Sequence, residues 1–128
     1  VEIKSVLNSS RIYAEHNKVF AVFQPHRYSR VSDLFDEFCG CFNQANYVFV
    51  TDIYSAGEKE IHGINKENIS MGIRDSGHKN VYTINSKDEL LEKISNLSTS
   101  GDLVVFMGAG SITSWSETFV YELDRFGK

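Results

Sequence analysis

The sequence contains a single proline, Pro25, and only two cysteines, Cys39 and Cys41, among its 128 residues. Two thiols one residue apart are too few and too close to frame a disulfide scaffold. That usage suits a reducing compartment, and we expect a cytoplasmic protein. The same pair is a poor metal site, because there is no third cysteine and no histidine pair with ligand spacing. We therefore expect no metal here and read both thiols as core or helix-face groups. No apolar run approaches the roughly 20 residues that a membrane helix needs, and no basic stretch followed by an apolar one marks a signal peptide. Basic residues are outnumbered as well: 13 Lys and Arg stand against 17 Asp and Glu, for a formal net charge of −4. That balance argues against a general nucleic-acid or anionic-membrane binder, while leaving room for a small anion site. The chain also opens without a Met, directly in a helical pattern, and we expect further sequence upstream of it in the intact protein.

What is present is enough for one domain, since a chain of this length buries roughly two-thirds of its unfolded surface without a disulfide or metal staple. Four short runs, Val19–Phe23, Tyr47–Val50, Val81–Ile84 and Leu103–Met107, are apolar almost without interruption. Continuous rather than alternating runs suit strands buried on both faces of a parallel sheet. Their spacing is close to the roughly 30 residues of a βαβ unit.

The segments between them carry helical periodicity. Ile3, Leu7, Ser10 and Ala14 share one face, and Leu34, Phe35, Phe38 and Phe42 form another stripe after a cap at Ser32 or Asp33. Ser86 to Glu89 is a capping-box pattern ahead of Leu90, Leu91 and Ile94. A weaker helix runs from Lys66 to Ser76 with Asn65 as its cap. The last begins between Ser111 and Ser114 and carries Phe119, Val120 and Leu123. With no linker, repeat or low-complexity tract, the expected fold is α/β, a three-layer Rossmann-like domain with a mostly parallel sheet.

Ligands of such sheets bind beyond the carboxyl ends of the strands, at a switch in strand order. After the first strand the chain reads FQPHRYSR. Pro25 ends the strand, and Arg27 and Arg30, three apart, share a face if a helical turn begins there. No acid lies between Gln24 and Ser32, so this pair could receive a carboxylate or phosphate bidentately, or else pair with distant acids on a solvated turn. After the second strand comes TDIYSAGE, where Asp52 could bind a cation or an amine, orient the arginines, or simply form the turn. Tyr54 could reach the same cleft or join the core. After the fourth strand, Gly108 and Gly110 would let backbone N–H groups approach a ligand or would simply form a tight turn, and Thr113 stands where a dinucleotide fingerprint needs a third glycine. His16, His62 and His78 are isolated. No G-x-x-x-x-G-K-[ST] loop, G-x-S-x-G elbow or H-E-x-x-H helix occurs.

Taken together, FQPHRYSR, DIYSAGE and GAGSI resemble the C-terminal domain of the Mur ligase family of peptidoglycan synthesis, in the branch that adds L-alanine. The opening VEIKSVL fits the segment after that family's D-Y-G-H-H-P linker, so the resemblance runs from Val1 to about Trp115. FQPHRYSR is its specific part. Val31 departs from the pattern, where a Thr often follows the last Arg.

The resemblance implies the third domain of a three-domain ligase, the UDP-binding and ATP-binding domains lying outside this chain. It further implies ATP and Mg2+ as cofactors, bound mainly by the central domain, and L-alanine and UDP-N-acetylmuramate as substrates joined through an acyl phosphate. His26, Arg27 and Arg30 would face the amino-acid or product carboxylate. Asp52, Tyr54, Gly108 and Gly110 would support the cleft, and this domain alone would be inactive. Two rival readings stand beside it: a receiver-like phospho-acceptor module using Asp52, and a non-catalytic anion-binding domain of the same fold. A receiver needs an acidic pair after its first strand, where Gln24, His26 and Arg27 stand here.

Overall fold

All six residues of Val19–Gln24 are buried, and they form the inner strand β1. The computed structural model describes residues 2–108 and 110–126. On one side of β1 lies β2 (Tyr47–Val50) and beyond it β3 (Val81–Thr83); on the other lies β4 (Leu103–Gly108), in the order β3-β2-β1-β4. Every pairing is parallel, so the sheet expected to be mostly parallel is wholly so among the described residues. The register sets Phe23 beside Val50 and Met107, and Gln24 beside Gly108.

Alternate side chains of a strand face opposite sides, and both sides are covered here. Val19, Ala21, Phe23, Val48 and Val50 pack into one core with Ile3, Leu7, Val31, Phe38, Ile69 and Ile73. These come from α1 (Glu2–Ala14), α2 (Tyr28–Asp33), α3 (Phe35–Cys39) and α4 (Lys66–Asp75). Phe20, Val22 and Phe49 face the other core, built from α5 (Lys87–Leu97) and α6 (Ser111–Arg125). The result is the three-layer α/β arrangement read from the sequence.

Local signals explain most helix starts. Asn65 Oδ1 accepts the Asn68 N–H at 2.8 Å, and Ser86 Oγ accepts the Glu89 N–H at 3.2 Å. The Glu89 carboxylate reaches back to the Asn85 N–H, one residue before the cap, in a shifted form of the capping box.

Two expectations differ from what is observed. The stripe Leu34, Phe35, Phe38 and Phe42 does not ride on one helix capped by Ser32 or Asp33. Helix α2 starts earlier, at Tyr28, and Leu34 (φ −117°, ψ 22°) separates it from α3. Phe42 lies past α3 yet is buried, its ring 5.3 Å from that of Phe23. The apolar residues find the core because the chain bends, not because they share a helical face. On α6, Val120 is exposed while Phe119 is buried. Cys39 and Cys41 are both buried free thiols. Burial, with Asp36 and Asp75 adding for Cys39, pushes each thiol up to about 11.

From β1 the chain builds β2 and β3 to one side, then crosses back so that β4 lies on the other. The order therefore switches between β1 and β4, and a crevice opens past their carboxyl ends.

Candidate functional site

At that switch point lies a cleft of about 400 Å³. Phe23, Gln24, Met107 and Gly108 form its floor, Ile3, Val6 and Phe38 its apolar walls, and Glu2, His26 and Arg30 its charged or polar edge. Apolar walls with a few convergent polar groups are the usual composition of a small-molecule site.

The chain reaches this arrangement through a turn held from both sides. Pro25 ends β1, but pairing continues beyond it. The Tyr54 N–H donates to the Pro25 carbonyl at 2.8 Å, and the Arg27 N–H donates to the Tyr54 carbonyl at 2.8 Å. His26 and Tyr54 thus form an isolated parallel bridge, and their rings stack with centroids 5.6 Å apart. Arg27 then turns sharply at φ 66°, ψ 133°. That region is nearly reserved for glycine and costs a side-chain-bearing residue about 1–3 kcal/mol. Arg27 immediately precedes α2, so Arg30 sits on the helix that the turn launches.

The three basic residues share one cavity, but only two of them also line the switch-point cleft. His26 and Arg30 line the switch-point cleft, whereas Arg27 lines an adjoining cavity of about 360 Å³ with Ser29, Asp33 and Leu34. His26 and Arg30 border both, so the two cavities meet at them. Among the described residues, neither Arg27 nor Arg30 forms an ion pair.

The start of α2 already holds a carboxylate. Glu58 Oε1 accepts the Ser29 N–H at 3.0 Å, and Oε2 accepts the Ser29 hydroxyl at 2.6 Å. These bonds, with the positive charge of Arg27 adding, hold the Glu58 carboxyl below its ordinary range. Glu58 is delivered by a tight turn in which Ala56 and Gly57 have φ of 51° and 88° and the Glu58 N–H bonds the Ser55 carbonyl at 3.0 Å. Neither Ser29 nor Glu58 was a sequence candidate. One partner opens α2 and the other lies in the loop after β2, 29 residues on, so no local spacing pattern reveals the pair.

Asp52 sits elsewhere, on a cavity of about 550 Å³ shared with Tyr28, Glu60, His62 and Lys66. Its carboxylate is exposed, and it pairs with the nearly buried Lys66 ammonium at 2.8 Å rather than with the arginines. Lys66 also donates to the Ile84 carbonyl at 3.2 Å and to Asn85 Oδ1, tying the ends of β2 and β3 to the start of α4. Burial, then the negative charges of Glu60 and Asp52, raises the Tyr28 hydroxyl above its ordinary range.

The two glycines have internal causes. Gly108 has φ 136°, and a Cβ there would collide with the Gln24 carbonyl. A Cβ on Gly110 (φ 79°) would lie 2.9 Å from Tyr54 Cδ1. Both let the β4–α6 turn press against the β1 and β2 loops. Gln24, another residue not singled out as a site candidate, links the three: Nε2 donates to the Asp52 carbonyl at 3.4 Å, and Oε1 accepts the Ile112 N–H at 3.3 Å. Among the described residues no group of three or more His, Cys, Asp or Glu could hold a metal ion. No helix there is long and apolar enough to cross a membrane.

The family model described as "Mur ligase, glutamate ligase domain" matches residues 1–110. A UDP-N-acetylmuramate–L-alanine ligase of Rhodospirillum centenum is 48% identical over 124 residues, covering 97% of this chain and 26% of that protein. One from Parvibaculum lavamentivorans is 46% identical over 127 residues, covering 99% of this chain and 26% of that protein. The chain therefore spans about a quarter of the length of these curated relatives. A domain of a Haemophilus ducreyi protein described as a UDP-N-acetylmuramate:L-alanyl-gamma-D-glutamyl-meso-diaminopimelate ligase superposes with a TM-score of 0.65. It has 16% identity and covers 95% of this chain and 81% of its own, a likeness of fold.

Proposed function

The chain belongs to the Mur ligase family, and on that premise we propose that it is the third, closing domain of a longer UDP-N-acetylmuramate–L-alanine ligase. The observation that carries this reading is the FQPHRYSR segment at the switch point, with His26 and Arg30 on the wall of the cleft. Relatives named for this activity align over nearly the whole chain and support it.

In the proposed reaction, ATP phosphorylates the lactyl carboxylate of UDP-N-acetylmuramate. The L-alanine amine then attacks the acyl carbon, phosphate leaves, and an amide bond forms. ATP and magnesium belong to the rest of the enzyme in this proposal. The described residues offer no cluster of metal-ligating side chains, and no step assigned to this domain runs through either group. What the domain does is hold and enclose. His26 and Arg30, with Arg27 at the adjoining cavity, bind the amino-acid or product carboxylate. Asp52, Tyr54, Gly108 and Gly110 fix the loops that present them. Holding the amine against an acyl phosphate turns a bimolecular encounter into a near-unimolecular one. Closure of a hinged domain keeps water from hydrolysing that intermediate.

Kinetics of the full-length Arg30→Ala enzyme test the assignment. Losing one charge-assisted bond to a carboxylate costs about 1.5–3 kcal/mol, or roughly ten- to a hundredfold. That loss is expected in the KM for L-alanine, with the KM values for ATP and UDP-N-acetylmuramate unchanged. Equal effects on all three substrates, or none on L-alanine, would contradict it.

A further inference from the structure

We propose that Glu58 is a positioning residue for the carboxylate-binding cleft: through Ser29 it holds the turn at Arg27 in its strained conformation and so fixes Arg30 on the cleft wall. The inference rests on the function proposed above and adds a residue that makes no contact with the cleft.

A backbone as unfavourable as that of Arg27 persists only where its surroundings over-determine it. Here the constraints come from a single loop. Tyr54 clamps the residues entering the turn, through its N–H to the Pro25 carbonyl and its carbonyl to the Arg27 N–H, both at 2.8 Å. Glu58, four residues further along the same loop, clamps the residue two past the turn, accepting both the N–H and the hydroxyl of Ser29. Between the clamps, only Arg27 and Tyr28 remain. The Val31 N–H donates to the Arg27 carbonyl at 3.2 Å, so the first turn of α2 grows directly from the strained residue.

With only the Tyr54 clamp in place, Arg27 could relax toward an ordinary φ. The first turn of α2 would then pivot about the buried Val31, carrying Arg30 off the wall it shares with His26. The Ser29 hydroxyl to carboxylate bond, at 2.6 Å, is of the short, charge-assisted kind that fixes direction as well as distance. An exposed bond of this sort contributes little to global stability. Its consequence is local and geometric.

The test compares full-length Glu58→Gln, Ser29→Ala and Ser29→Thr enzymes, with Arg30→Ala as the reference. Glutamine keeps one acceptor oxygen for the Ser29 N–H, but its amide NH2 can only donate to the Ser29 oxygen, so the short charge-assisted bond gives way to a longer neutral one. Displacement of a binding group by around an ångström costs up to roughly a hundredfold. E58Q and S29A are therefore expected to raise the KM for L-alanine about tenfold or more, with the KM for ATP unchanged. S29T, which keeps the hydroxyl, restores the wild-type value, and the E58Q/S29A double variant is no worse than the poorer single one. A normal L-alanine KM in E58Q beside a raised one in R30A would overturn the role of Glu58 alone. A normal value in R30A would instead overturn the cleft assignment on which the inference rests. Parallel rises in all three KM values in E58Q would mark a general structural defect and also refute it.

Discussion

If Arg27 is held in a glycine-like conformation, replacing it by glycine and by alanine must have opposite consequences from those usual in a loop. Both substitutions remove the same guanidinium and leave the same turn, so their difference isolates the backbone. Alanine retains a Cβ at φ 66°, ψ 133°, and with it strain of about 1–3 kcal/mol. Glycine relieves that strain but carries a penalty of about 0.5–1 kcal/mol, because its unfolded chain has more conformations to lose. Arg27→Gly should therefore be more stable than Arg27→Ala by about 0.5–2 kcal/mol. At a typical urea m-value near 2 kcal/mol/M, that separates the two unfolding midpoints by about 0.3–1 M. Urea titrations followed by far-UV circular dichroism would resolve it. In the full-length enzyme both variants should bind L-alanine poorly, so the more stable protein would be no better a catalyst. Equal midpoints, or a more stable alanine variant, would refute the claim that this backbone is strained.

Other outcomes follow from neighbouring contacts. Gly108→Ala combines a positive φ with a collision against the Gln24 carbonyl and should destabilise by about 3 kcal/mol, read as a lower urea midpoint. Burial holds the Cys39 and Cys41 thiols at about 11, so their alkylation at pH 8 should be at least roughly a hundredfold slower in the native protein than in urea. At Asp102 burial favours the neutral acid, but the Thr99 and Lys18 N–H groups and the Lys18 ammonium outweigh it and hold the carboxyl below its ordinary 3.8. A depressed folded value means stability that is complete above about pH 3.8 and lost as pH falls through the folded value. Asp102→Asn should accordingly cost about 1–3 kcal/mol at pH 7, with the gap to wild type narrowing during acid unfolding.

The fold was largely legible in the sequence, because both of its generating signals are local. Apolar runs marked all four strands, although only β1 and β2 are buried along nearly their whole length while the edge strands β3 and β4 are only partly buried, and the Asn65 and Ser86 caps marked two helix starts. Where local reading failed, the cause was the path of the chain. Leu34 interrupts what periodicity alone presents as a single helix, and Phe42 reaches the core from a bend. The strand-end segments stood out in the sequence as candidate chemistry, but the division among them did not. Asp52 looked able to orient the arginines and instead meets Lys66 from α4. The glycines, readable as a ligand approach or as a tight turn, let the chain pack closely against Gln24 and Tyr54. The residues missed outright, Ser29, Glu58, Gln24 and Lys66, act through bonds between strand ends, helix starts and loops that lie far apart in the sequence. A pairing of that kind has no period and no motif, and it becomes visible only once the sheet has brought the strand ends side by side.

The most direct test of the whole account is phosphate release by the full-length protein carrying this chain, supplied with ATP, magnesium, UDP-N-acetylmuramate and L-alanine. The account predicts release only when both the UDP-sugar and L-alanine are present, and its loss when the Arg30 side chain is removed. Release that ignores L-alanine, or none with this pair, would contradict the assignment of the switch-point cleft to the amino-acid substrate.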